Sequence, residues 1–140
     1  MKWILAVALF IIALQAQAQD YLGISKEQLI AIKGNSYKID NKQSTISYDT
    51  PNIIGNDKGL EMYYYNSRDV IIGYVFLKNV YKNELLEIIK YNNTHFTQRS
   101  SGVKREMQWI DTEKGIEISL KTAEWTDNIS FIFYKVFIVE

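Results

Sequence analysis

This chain would have to do any chemistry with few tools. His95 is the only histidine. It stands in Asn92-Asn93-Thr94-His95-Phe96, at the end of a helical pattern, where a polar residue is the ordinary occupant. A Ser-His-Asp triad would have to use it, and no serine lies in the glycine pattern of a nucleophile elbow. Zinc sites draw on several His or Cys ligands, and the chain has one histidine and no cysteine. The same lack of cysteine removes disulfides, thiol nucleophiles and redox motifs. Glycoside hydrolysis needs only two carboxylates, and Asp111, Glu113, Glu117 and Glu124 are the candidates. They fall in turns or at outward strand positions, as a solvated face would place them. There is no glycine-rich phosphate loop. Asp57-Lys58-Gly59 and the stretch from Asp111 to Gly115 lack the repeated acidic spacing of a calcium loop. No catalytic residue, metal ligand or cofactor is assigned, and the expectation is a protein that is not an enzyme.

The aromatic residues offer a different kind of site. They make up 14% of the chain and include ten tyrosines. Side chains alternate along a strand, so Tyr63 and Tyr65 face opposite to Met62 and Tyr64. If Leu60, Met62 and Tyr64 pack beneath helices, Tyr63 and Tyr65 lie on the free side, extended by Tyr74 and Phe76 of the next strand. Such an aromatic face suits a partner protein or a glycan. The competing account is that both faces are covered, or that cross-strand tyrosines simply stabilise the sheet.

The elements that would position these residues begin after an export signal. Lys2 supplies a positive start, Trp3 to Leu14 carry no charge, and Gln15-Ala16-Gln17-Ala18 places small side chains where a signal peptidase reads. Cleavage after Ala18 is expected. The uncharged run is too short for a bilayer core, which takes roughly 20 residues, and it has no polar side with which to lie in an interface. The expectation is residues 1–18 as signal peptide and residues 19–140 as a single domain, exported to the periplasm or beyond, with no stable membrane anchor after cleavage. With no cysteine to carry a lipid, and none for disulfides, that domain must be held by core packing. Lys plus Arg and Asp plus Glu each number 16, and loss of Lys2 leaves the mature form slightly negative. That balance argues against a nucleic-acid partner, which needs concentrated positive charge.

Ser25 and Gln28 form a capping-box pattern, with Ile24 and Leu29 placed as a hydrophobic staple and Gly34 as the stop. The helix between is about two turns and must dock on something. The pattern then changes to period two. Strands are predicted over Thr45–Tyr48, Leu60–Tyr65 and Val70–Leu77, with Ile53 to Gly59 as a loop and Asn66-Ser67-Arg68-Asp69 as a hairpin turn. Gly73 marks a bulge or a large neighbour overhead. Helical spacing returns from Val80 to Asn92. Gln98 to Val103 is read as a link, followed by strands at Met107–Trp109, Ile116–Thr122 and Ile129–Val139, with turns at Asp111–Gly115 and Trp125–Asn128. The reading is a two-layer α+β domain: an antiparallel sheet with two helices on one face, in the order helix, three strands, helix, three strands. The halves share an organisation without a residue-level repeat.

The opening Gly23-Ile24-Ser25-Lys26-Glu27-Gln28-Leu29, followed by strands carrying Tyr63, Tyr64, Tyr65 and Val75, resembles small exported domains of the BamE/SmpA type and the related beta-lactamase-inhibitor proteins. Lys33-Gly34-Asn35 departs from the usual ending of that helix, and the lipidated cysteine of BamE-type proteins is missing. The resemblance implies a scaffold or inhibitor-like binding role. The expected function is therefore binding of another envelope or secreted protein. The alternatives are a carbohydrate-binding or glycan-processing module and a carrier of small apolar ligands.

Overall fold

The structure is a computed structural model of the chain and describes residues 21–50, 59–123 and 129–139. The expected signal peptide, Glu124, the segment 53–58 of the expected loop and the turn at 125–128 lie outside the described residues.

Helix α1 (Lys26–Lys33) forms as its local code dictates. The Ser25 hydroxyl accepts from the Gln28 N–H and the Gln28 side chain accepts from the Ser25 N–H, at 3.1 and 2.9 Å. Gly34 ends the helix with φ 97°, its N–H donating to Ile30 O at 2.8 Å. A two-turn helix is unstable alone. This one is tethered by the lead-in, where Gly23 N donates to Ile71 O and Ile71 N to Ile24 O, both at 2.8 Å. Leu29 is fully buried, which contributes roughly 1.5–3 kcal/mol.

Among the described residues, eight strands follow in a single antiparallel sheet: β1 (Lys38–Asp40), β2 (Thr45–Thr50), β3 (Gly59–Tyr65), β4 (Ile71–Tyr81), β5 (Thr97–Arg99), β6 (Glu106–Asp111), β7 (Ile116–Thr122) and β8 (Ile129–Ile138). Helix α2 (Lys82–His95) stands between β4 and β5. The sheet order is β1-β2-β3-β4-β8-β7-β6-β5. Each half is thus a helix followed by a four-strand meander, and the halves join where β4 pairs with β8 from Gly73↔Phe137 to Tyr81↔Ile129.

The α+β class holds, and the element order is corrected to helix, four strands, helix, four strands. The added strands, β1 and β5, have three residues each, all exposed. They carry no buried-face alternation, so periodicity has nothing to detect. The long β4 likewise runs four residues past Leu77, because Asn79, Val80 and Tyr81 pair with Phe131, Ser130 and Ile129 of β8. Helix α2 starts correspondingly later than Val80 and runs on to His95.

The turns follow their sequence signals. Asn66 Oδ1 accepts from the N–H groups of Arg68 and Val70, and Asp69 takes φ 58°. Asp111 Oδ1 accepts from the N–H groups of Glu113 and Lys114, and Gly115 takes φ 63°. Gly73 has both features expected of it. The β3–β4 register shifts at Tyr64/Tyr65 beside it, and the Phe137 ring lies so close that an added Cβ would stand 2.1 Å from it.

The core lies between the helices and one face of the sheet. Leu29, Leu85 and Ile88 meet Ile46, Tyr63, Tyr74, Val136, Ile118 and Trp109, which occupy a single cross-strand row. Two polar tips in this layer are paired: Trp109 Nε1 donates to Asn93 Oδ1 at 2.8 Å and the Asn92 amide to the Tyr134 hydroxyl at 3.3 Å.

Candidate functional site

The register assigns every strand residue to one of two faces. On the face turned away from the helices, Leu60, Leu77, Phe133, Lys121 and Glu106 form one row. Met62, Val75, Lys135, Ser119 and Gln108 form the next. Tyr64, Gly73, Phe137, Glu117 and Ile110 form a third. None of these residues belongs to the core cluster, and among the described residues both helices pack on the other side.

This open face is divided. Its β3-β4-β8 part is apolar and aromatic. Phe131 is 43% exposed, Leu60, Met62, Tyr64, Leu77, Phe133 and Phe137 are half-buried, and Val75 is covered by its neighbours. The Tyr64 and Phe137 rings pack at 5.3 Å over Gly73. Its β6-β7 part carries charges of both signs. Arg99 Nη1 lies 3.8 Å from Glu117 Oε2, an exposed pair that contributes little to stability. Between the two parts runs an open trough of ≈ 400 Å³ lined by Glu106, Ser119, Lys121, Phe131, Phe133 and Lys135. The Lys135 ammonium lies 4.8 Å from the Phe133 ring centre.

The tyrosine face expected from the sequence is not on this side. Alternation separates Tyr63 and Tyr65 from Met62 and Tyr64 as expected, but the helices cover the opposite set. Tyr63 and Tyr74 are 1% exposed, Phe76 2% and Tyr65 9%. Tyr63 and Tyr74 pack at 5.2 Å, and burial raises both hydroxyl pKa values well above the usual phenol range, with the Glu61 charge adding to it. The physical reason for the inversion is that both faces of β3 are apolar enough to be core. The helices took the side that also holds Ile46, Trp109 and Ile118. The residues that line the accessible face, Phe131, Phe133 and Phe137 on β8, were legible only as part of the strand predicted over Ile129–Val139.

The remaining candidates have structural places. His95 ends α2, exposed, with Nδ1 2.9 Å from Tyr91 O and its ring stacked 4.0 Å from that of Tyr91. Asp111 and Glu113 belong to the β6–β7 turn, and Glu117 pairs with Arg99. Among the described residues no group of three or more His, Cys, Asp or Glu is placed to hold a metal, and no helix is long and apolar enough to cross a membrane.

Two polar groupings were not foreseen. Lys33, in the last turn of α1, places its ammonium 2.7 Å from Glu61 Oε2 among the rings of Tyr21, Tyr48 and Tyr63. Lys78, Glu84 and Ser130 are buried at the joint of β4, α2 and β8. The Glu84 carboxylate and the Ser130 hydroxyl there have no hydrogen-bond partner. Burial pushes Lys78 down to about 8 against the pull of Glu84, and pushes Glu84 up against the pull of Lys78. Neither grouping follows a spacing rule, because each joins residues from separate elements. Comparison with family models, with curated proteins and with solved structures finds no match to this chain.

Proposed function

We propose that the protein is an exported, non-enzymatic binding domain that holds a partner protein against the open face of its sheet. The observation that carries this reading is the aromatic stripe of Phe131, Phe133, Phe137 and Tyr64. It is excluded from the core and accessible from one side. Contiguous exposed apolar surface rimmed by polar groups is the mark of an interaction surface. Aromatic anchors supply most of the energy at such interfaces, and rim charges steer and select. The expected partner segment is apolar along the stripe and carries both charge signs where it meets Lys121, Lys135, Glu106 and Glu117. The layer between helices and sheet is filled by Leu29, Ile88, Trp109 and Tyr134, each 0% exposed, which favours this reading over a carrier of apolar ligands. The resemblance of the α1 opening to scaffold and inhibitor domains points the same way.

The test is a photo-crosslinking side chain at Phe133 or Ile110 on the open face, and at Ile32 on the helix layer, in the exported protein. A discrete protein adduct from the first two positions and none from Ile32, abolished by Phe131→Ser with unchanged thermal stability, is the expected result. Adducts from all three positions alike, or adducts to glycan alone, would overturn it.

A further inference from the structure

The surroundings of Lys33 are those of a receptor for an organic cation. Its ammonium lies 5.8, 5.4 and 5.5 Å from the ring centres of Tyr21, Tyr48 and Tyr63, within the ~6 Å at which a ring quadrupole attracts a cation. The rings stand across one another as walls: Tyr48 and Tyr63 meet at 81° and Tyr21 and Tyr63 at 65°. The floor is Glu61, whose side chain is 4% exposed and whose Oε2 is 2.7 Å from the ammonium.

Contacts that do not involve the ammonium hold the walls. The Tyr48 hydroxyl donates to Gly34 O at 3.1 Å, Tyr37 packs edge-on against Tyr48, and Tyr63 packs on Tyr74. The occupant, by contrast, arrives on a flexible four-carbon stem from the last residue of a two-turn helix, and its side chain is 19% exposed. Tyr48, Tyr63 and Glu61 are therefore set by the sheet, with Tyr21 of the lead-in packed edge-on against Tyr63, and the cage is reachable from solvent along the route Lys33 takes.

We propose that Tyr21, Tyr48, Tyr63 and Glu61 form a binding site for a primary or partly methylated ammonium ion, with Lys33 as its resident occupant. The N–H requirement comes from Glu61, since a carboxylate buried this deeply needs a donor as well as a charge. The tolerance for methyl groups comes from the walls. A methyl carbon about 1.5 Å from the nitrogen would reach van der Waals contact with a ring centred at these distances. A ligand ammonium takes the place of Lys33, which swings into water on its stem. Because Lys33 is tethered it competes at high local concentration, on the order of mM or more, so the intact chain binds such ligands weakly and reversibly.

The experiment uses the Lys33→Ala chain with methylammonium and dimethylammonium chloride, against sodium chloride at equal ionic strength. Either amine is expected to raise the unfolding temperature saturably, and sodium is not. Affinity should fall by about tenfold or more when Tyr48→Leu or Glu61→Gln is added, as loss of a desolvated cation contact implies. In the intact chain, the same titration should move the Lys33 ε-methylene resonances from their ring-shifted position to that of a solvated lysine. If Lys33→Ala does not fold, Lys33→Met keeps the stem packing. Folding of either variant only with amine present supports the site. No amine-specific effect on the variants, or an effect that survives Glu61→Gln, would overturn it and leave a structural ion pair.

Discussion

At the scale of single residues, the molecule is most exacting where a large ring meets the absence of a side chain. Gly73 accommodates the Phe137 ring, so Gly73→Ala is expected to cost about 1–3 kcal/mol by overpacking. The same substitution in a Phe137→Ala background should cost much less, and equilibrium unfolding of the four proteins in that cycle checks the coupling. The buried amide–phenol pair of Asn92 and Tyr134 sets a second demand. Tyr134→Phe leaves the Asn92 amide without its partner, at an expected cost of about 1–3 kcal/mol, measured in urea. Neither pairing is visible in the chain itself. A glycine in a strand announces that something large stands near, without naming Phe137, which is far away in sequence and arrives only through the β4–β8 register.

At the scale of elements, α1 was legible and the sheet edges were not. Ser25, Gln28 and Gly34 act on their own neighbours, so their roles are readable wherever the helix ends up. Ser25→Ala is expected to cost about 1 kcal/mol, a loss that Ser25→Asp restores in thermal unfolding. Strands β1 and β5 are exposed and three residues long, so they exist by pairing alone. Their shortness blunts both edges of the sheet against further strand addition. The two faces of β3 show a further limit. Alternation separates Tyr63 from Tyr64 but is symmetric about the strand, so it cannot say which side the helices will cover. Phe131→Ser should therefore change stability by no more than about 0.5 kcal/mol, as at a surface position. Tyr74→Ala should cost about 3–5 kcal/mol. Similar losses from both would mean that the open face is covered after all.

At the scale of the whole molecule, the joint between the two halves buries two ionisable groups, Lys78 and Glu84, whose protonation is linked to folding. Lys78 keeps its proton up to about 10.5 when unfolded but releases it at about 8 when folded. Unfolding therefore takes up a proton between those values, and stability rises with pH there. Glu84 is displaced the other way: folded, it keeps its proton above 4.5. Unfolding then releases a proton, and stability falls as pH climbs through the range just above 4.5. Both signs place the least favourable balance near neutrality. Above pH 10 the raised hydroxyl groups of Tyr48, Tyr63, Tyr74 and Tyr134 oppose the gain from Lys78, since unfolding frees them to ionise. Urea unfolding between pH 4 and 10 should show the shallow minimum, and Lys78→Met/Glu84→Leu should flatten it. The double variant is expected to be at least as stable as the parent, because burial disfavours the charge on both groups and the Glu84 carboxylate has no hydrogen-bond partner.

The amino-acid sequence by itself determined what depends on near neighbours or on composition. That includes the α1 cap and stop, the turns at Asn66 and Asp111, the α+β class, and the exclusion of cysteine chemistry. These follow from contacts a few residues apart or from residue types that are simply not present. Tertiary structure alone decided which face of the sheet is core, that two short exposed strands complete it, and that β4 meets β8 at its centre. It also decided that Lys33 enters a cage of three tyrosines and that Lys78 and Glu84 share an interior. Each of these is a relation between segments that are individually compatible with more than one partner. Burial is a property of the assembled layers, and no single strand carries the information that chooses its covered side.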